Sequence, residues 1–120
     1  MTLQECYADM GGNYSEVVAR LCSESLVQKF VLRFLDDKSY ELFCNSMENK
    51  NYEEAFRAAH TIKGICQNLG FTRLLESSSE MSEALRHGWM PEADTLISQL
   101  EMDYQDTINA IHKFQKEYRG

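Results

Sequence analysis

Proline, glycine and long apolar runs are all scarce in this sequence. Its 120 residues include one proline, Pro91, and six glycines. Because β-sandwiches need many turns, this scarcity disfavours them and suits long helices. No apolar run is long enough for a transmembrane helix, and the N-terminus lacks the basic and apolar regions of a secretory signal. We therefore expect an all-α protein of the cytoplasm.

Basic residues are outnumbered, with 12 Lys and Arg against 19 Asp and Glu, which gives a net charge of −7. Such a surface repels nucleic acid and anionic lipid, so we expect neither nucleic acid nor a membrane as partner. The cysteines Cys6, Cys22, Cys44 and Cys66 include no CxxC pair. We therefore expect reduced thiols and no metal site.

Apolar residues recur at helical spacing between recognisable start and stop signals. Short helices are predicted over residues 2–10 and 15–21, and a third begins at Ser23 or Ser25. Longer amphipathic segments follow near residues 39–50, 52–69 and 72–87 and from Pro91 onward. Short loops between them favour an antiparallel four-helix bundle with additional short N-terminal helices. We expect one domain over residues 1–120, with an N-terminal helical extension over 1–24 and the bundle over 25–118.

The segment 52–69 carries the candidate chemistry. Asn51 caps its start, with Glu54 completing a capping box, and Gly70 suits its end. On a helical wheel the apolar residues fall in one arc, which predicts the core face. These are Ala55, Ala58, Ala59, Ile62, Ile65, Cys66 and Leu69.

His60 falls almost opposite that arc, on the predicted solvent face. Lys63, Gly64 and Gln67 follow it at i+3, i+4 and i+7, and Phe56 precedes it by four residues, so all share one surface. Glycine in a helix interior costs about 1 kcal/mol relative to alanine. Gly64 therefore indicates either clearance for a partner approaching the imidazole, which we favour, or close packing against another helix.

An exposed imidazole beside an ammonium suits phosphoryl transfer. With an ordinary pKa near 6.5, the ring is partly neutral at pH 7, so a ring nitrogen is available to attack phosphorus. Lys63 would neutralise part of the charge that the phosphoryl group brings. The chain has no glycine-rich nucleotide loop, so we expect no ATP-dependent kinase activity of its own.

The run from Ala59 to Gly70 closely resembles the phosphorylation-site helix of histidine-phosphotransfer (HPt) domains. That pattern has an Ala-His pair, one residue, an apolar residue, Lys-Gly, and a Leu-Gly end five residues later. The resemblance extends over residues 26–86 and more loosely beyond. It implies a four-helix bundle that relays phosphoryl groups between the aspartates of receiver domains.

Site roles follow from the resemblance. It makes His60 the phosphoacceptor, through its Nε2 atom. It makes Lys63 the residue that neutralises charge and Gly64 the residue that provides clearance. Many members place an imidazole-orienting glutamine where this chain has Ser82, and Gln67 is a candidate to replace part of that contact. Arg86 matches a basic position and is expected to contact the phosphoryl group.

The resemblance also implies the partners. The receiver domain of a response regulator or hybrid kinase would bring Mg²⁺, and the chain would need no cofactor of its own. Phe56 is the predicted docking surface, with Leu74 and Leu75 as candidates for either docking or core. We expect a monomer, and the span from Met1 to a complete bundle favours a free-standing protein.

Two other functions are considered. A non-catalytic HPt-like module would dock receivers without carrying phosphate, and the serine at position 82 keeps this alternative open. An enzyme with His60 as general base would need a concave pocket and a second catalytic group, neither of which the predicted helix face provides.

Overall fold

Helices account for nearly the whole chain. The structure, a computed structural model, describes residues 1–119, with side chains described up to residue 117. Within this part lie α1 (Leu3–Met10), α2 (Tyr14–Leu21), α3 (Glu24–Arg33), a 3-10 turn (Phe34–Asp36), α4 (Ser39–Glu48), α5 (Tyr52–Leu69), α6 (Thr72–Leu85) and α7 (Pro91–Arg119). No strand is present in the described residues, so the all-α prediction is confirmed. Gly120, the last residue of the predicted domain, lies outside them.

Helices α4, α5, α6 and α7 form the predicted antiparallel bundle. α5 packs against both α4 and α6, and α6 packs against α7. Because short loops join these consecutive neighbours, each helix runs antiparallel to the one before it. α4 meets α7 through the rings of Tyr40 and Tyr104, which stack with centroids 3.9 Å apart. The fold prediction is confirmed.

The N-terminal helices pack onto this bundle. α1 lies against α7, where the Met1 ammonium pairs with Glu117 at 3.0 Å. The Cys6 thiol donates to the carbonyl oxygen of Ala110. Buried residues from α1 through α7 form one hydrophobic cluster. The first helices therefore contribute to the same core that supports α5.

Most helix starts follow the predicted signals. The Ser23 side chain, rather than that of Ser25, accepts from the amide of Leu26. The Asn51 side chain accepts from the amide of Glu54, but the predicted capping box is incomplete because the Asn51 amide donates to the Ser46 carbonyl oxygen. Pro91 begins α7, as its fixed φ favours. No helix in residues 1–119 is both long and apolar enough to cross a bilayer.

The boundaries of α6 differ from the prediction. Thr72 is its first residue and not its cap, because the cap position belongs to Phe71. The Thr72 hydroxyl instead donates to the carbonyl oxygen of Gly70. The helix ends at Leu85, two residues before His87, since the amide of Gly88 bonds the Leu85 carbonyl and closes a turn.

Candidate functional site

The core face of α5 agrees with the helical wheel. Ala55, Ala58, Ala59, Ile62, Cys66 and Leu69 are buried, and Ile65 is partly buried. This prediction is confirmed. The small side chains of the three alanines allow α4 and α6 to approach α5 closely.

His60 lies on the opposite, exposed side of α5. Its imidazole stacks on the ring of Phe56, one turn earlier, with centroids 5.9 Å apart and an interplanar angle of 24°. No hydrogen bond or ion pair engages the imidazole within the described residues. Its ring nitrogens are therefore not bonded to any described group of the protein.

Gly64 faces open space one turn after His60. A Cβ added at this position would meet no heavy atom within 4 Å. Close packing against another helix therefore does not explain the glycine. What remains is an unobstructed approach to the surface beside the imidazole.

Lys63 is half-buried on the α5 surface, and its positive charge acts on the carboxylate of Glu83 in α6. The pKa of the Glu83 carboxyl is lowered, chiefly by its hydrogen bond from Arg86, with Lys63 contributing as a nearby positive charge. Lys63 itself forms no salt bridge with any described side chain. Its ammonium thus adds positive charge to the His60 surface without a fixed partner.

Arg86 contacts Phe56, the neighbour of His60, and not His60 itself. Its guanidinium lies over the Phe56 ring, 5.9 Å from the centroid, and its Nε and terminal nitrogen donate to Glu83 Oε2 at 3.1 and 2.9 Å. Sequence reasoning did not single out Glu83. The i, i+3 spacing of a glutamate and an arginine on one predicted helix was the available signal.

The remaining predicted site residues lie in different environments. Ser82 is only 2 % exposed, and no hydrogen bond joins it to His60 in the described chain. Gln67 is exposed. Leu74 is only 1 % exposed and belongs to the core, so it is not part of a docking surface, whereas Leu75 is partly exposed.

A comparison with protein-family models matches residues 19–110 to the Hpt domain. The chain belongs to the Hpt domain family. The matched span contains all of α3 to α6 and most of α7, and it includes the His60 surface. Separate comparisons with curated proteins and with solved structures found no match.

The carboxyl end of the histidine helix of this Hpt domain is held by the N-terminal helices. Arg20 of α2 donates to the carbonyl oxygens of Gln67 and Asn68 at 2.6 and 2.8 Å. The Tyr7 hydroxyl of α1 donates to the Leu69 carbonyl at 2.6 Å. These are the carbonyls that a helix end leaves without partners. We call Tyr7 and Arg20 together the clamp. No sequence pattern indicated that these two residues would hold the end of α5.

Two grooves of the described surface lie away from His60. A groove of about 520 Å³ lies between α2, α3 and the end of α5, with Phe30, Ile65 and Leu69 among its lining residues. His60 does not line it, nor does it line the smaller groove beside Asp106. The general-base alternative requires a concave site around the imidazole, and neither of these two grooves provides one.

Proposed function

We propose that this Hpt domain carries a phosphoryl group on His60 between the aspartates of receiver domains in a two-component phosphorelay. The observation that carries the proposal is the exposed imidazole beside Gly64, where an added Cβ would meet no heavy atom within 4 Å. Membership of the Hpt family supports the general role. The receiver partners and the assignment to His60 belong to the proposal.

The phosphoryl group passes directly from the aspartate side chain of the receiver to the unphosphorylated His60 side chain. The lone pair of a neutral imidazole nitrogen, Nε2, attacks the phosphorus of the receiver's aspartyl phosphate. The N–P bond forms as the P–O bond to the aspartate breaks, and the aspartate leaves as a carboxylate. The ring keeps its proton on the other nitrogen, and the reverse step returns the phosphoryl group to a second receiver.

This chain supplies the nucleophile and positive charge. The Lys63 ammonium attracts the phosphoryl oxygens as they approach the imidazole. The receiver would supply Mg²⁺, the reactive aspartate and the remaining stabilisation of the transition state. We further propose that the carrier has no kinase activity of its own and acts as a monomer in the cytoplasm.

Docking uses the exposed side of α5. The partly exposed ring of Phe56 lies beside His60, and apolar area near a reactive group favours association with a protein surface. The open space at Gly64 lies on the other side of the imidazole along the helix. A receiver seated over both would bring its aspartate to the ring.

Replacing His60 tests the proposal. A receiver labelled with ³²P on its aspartate is mixed with the wild-type chain and with His60→Gln, without ATP. We expect acid-labile, alkali-stable label on the wild type and at least a hundredfold less on the variant, because glutamine has no nucleophilic nitrogen.

His112→Gln is the matched control, since His112 is an exposed histidine of α7. It should accept label at the wild-type rate. Label that persists on His60→Gln, or that disappears with His112→Gln, would show that another histidine carries the phosphoryl group.

Ser82 favours one alternative, a module that docks receivers without accepting phosphate. The family's usual orienting contact is missing because Ser82 makes no hydrogen bond to His60 in the described chain. This alternative predicts a stable complex between the wild type and a receiver, measured by calorimetry, with no label on the wild type.

A further inference from the structure

Three side chains follow one another from the reactive position, two on α5 and one directly after α6. The His60 imidazole stacks on Phe56, and the guanidinium of Arg86, the C-cap residue of α6, lies over the same Phe56 ring. The centroid of the Phe56 ring lies 5.9 Å from the imidazole centroid and 5.9 Å from the Arg86 Cζ atom. The guanidinium is thus one aromatic ring away from the imidazole and is not bonded to it.

Glu83 holds Arg86 in that position. The two guanidinium nitrogens that donate to Oε2 direct the positive group towards the carboxylate. The Glu83 side chain is 70 % exposed and that of Arg86 is 45 % exposed. An exposed ion pair of this kind is weak, because water competes for both partners. Little free energy is therefore needed to separate them.

The same carboxylate faces a second cation. The lowered pKa of Glu83 reflects Arg86 first, and then the positive charges of Lys63 and His87. Lys63 belongs to α5 and lies one turn from His60, whereas Arg86 follows the last residue of α6. The Glu83 carboxylate is therefore within electrostatic reach of both Arg86 and Lys63.

We propose that Glu83 is a resident counter-anion that holds Arg86 over Phe56 and releases it to the phosphoryl group on His60. This inference rests on the proposed function. A phosphoryl group carries more negative charge than a carboxylate and has three acceptor oxygens, and arginine binds such groups through paired donors. The long side chain of Arg86 moves from Glu83 to the phosphohistidine, and Glu83 thereby sets how far transfer to His60 proceeds.

In this role Glu83 is a positioning residue, because it acts through Arg86. A merely structural i, i+3 pair would stabilise α6 slightly and leave the transfer equilibrium unchanged. A resident counter-anion opposes phosphorylation by competing for the cation and by repelling the incoming charge. Removing its charge should therefore favour the phosphorylated form of His60.

The equilibrium between one receiver and this chain measures the effect. Labelled receiver is mixed with wild type, Glu83→Gln or the control Glu80→Gln, and the ratio of phosphohistidine to phosphoaspartate is read once it is constant. We expect Glu83→Gln to raise this ratio about threefold, the size expected for an exposed ion pair. Glu80 is another exposed glutamate of α6 with no salt bridge in the described chain, so Glu80→Gln should match the wild type.

Two further variants test whether the effect passes through Arg86. Arg86→Gln should lower the ratio, and the gain from Glu83→Gln should shrink by at least half in the double variant. In the wild type, phosphorylation by phosphoramidate, which labels imidazoles directly, should shift the Arg86 Nε–H resonance in ¹⁵N NMR spectra.

The outcomes separate this inference from the proposed function. If the wild type accepts no label on His60, the proposed function fails. If it accepts label but Glu83→Gln has the same ratio as Glu80→Gln, or the Arg86 resonance is unmoved by phosphorylation, the counter-anion role is wrong while the carrier function stands.

Discussion

Gly64 lies in the middle of α5, where a larger side chain would fit. The space beyond its Cα is open to 4 Å, and glycine lowers helix stability because its backbone is the most flexible in the unfolded chain. Packing therefore gives no reason for a glycine at this position. The access that it leaves beside His60 gives one.

Substitution at Gly64 should separate stability from transfer. Gly64→Ala should raise the free energy of unfolding by about 1 kcal/mol, measured by urea denaturation. Gly64→Gln should also be at least as stable as the wild type, but its long side chain should slow phosphoryl transfer from a receiver at least tenfold.

Gly12 provides the contrast. A Cβ there would lie 2.8 Å from the Tyr7 ring and 2.9 Å from the carbonyl oxygen of Gly70, so Gly12→Ala should destabilise the fold. If the Gly64→Gln variant accepted the phosphoryl group as fast as the wild type, the clearance role of Gly64 would be wrong.

At the scale of elements, α5 is held at its end by helices far away in sequence. The hydrogen bond from Tyr7 to Leu69 is buried, whereas Arg20 covers the preceding carbonyls from a more exposed position. Gly70 ends the helix in a left-handed conformation, with φ of 69°. The register of the histidine helix thus depends on α1 and α2 as well as on its own sequence.

Removing the Tyr7 hydroxyl should measure this dependence. Tyr7→Phe keeps the ring and leaves the buried Leu69 carbonyl without its donor, so unfolding free energy should fall by about 1–2 kcal/mol. Tyr14→Phe is the control, because the Tyr14 hydroxyl donates to the exposed carboxylate of Glu24. It should change stability by less than about 0.5 kcal/mol. Equal losses in urea denaturation for both variants would contradict the clamp.

Contacts within one helix were predictable, and contacts between helices were not. The wheel placed His60, Lys63 and Gly64 on one face because helical geometry fixes the positions of residues three and four apart. The guanidinium of Arg86 over Phe56 depends on how α5 and α6 pack and on side-chain rotamers. The bond from Tyr7 to Leu69 joins residues 62 positions apart, and no periodic pattern indicates such a pair.

At the scale of the whole molecule, the core contains groups that ionise in alkali. Burial raises the pKa of the Cys6 thiol from 9.0 to about 12. Burial likewise raises the pKa of the Cys66 thiol and of the Tyr7 hydroxyl. The folded state therefore keeps these groups neutral at a pH where the unfolded chain ionises them.

The sign of the pH dependence follows from linkage. Well below pH 9 these groups are neutral in both states and stability is unaffected. As pH rises above 9, the unfolded chain loses protons that the folded chain retains, so the free energy of unfolding should fall steadily towards pH 11. Urea midpoints measured from pH 8 to 11 test this, with Cys6→Ala/Cys66→Ala as the comparison. That variant should show a shallower decline, and an identical slope would contradict the assignment to the thiols.

The family match begins at residue 19, but the support of the histidine helix begins earlier. Tyr7 lies before that boundary. So do two backbone contacts to the α5–α6 turn: the Asn13 amide donates to the Gly70 carbonyl oxygen, and the Gly11 carbonyl oxygen accepts from the Arg73 amide. A fragment trimmed to the matched residues would retain His60 and Arg20 and lose these anchors at the α5–α6 turn. The family match and the structural support of the histidine helix therefore have different borders, and a fragment cut at residue 19 should hold the α5–α6 turn less firmly than the longer chain.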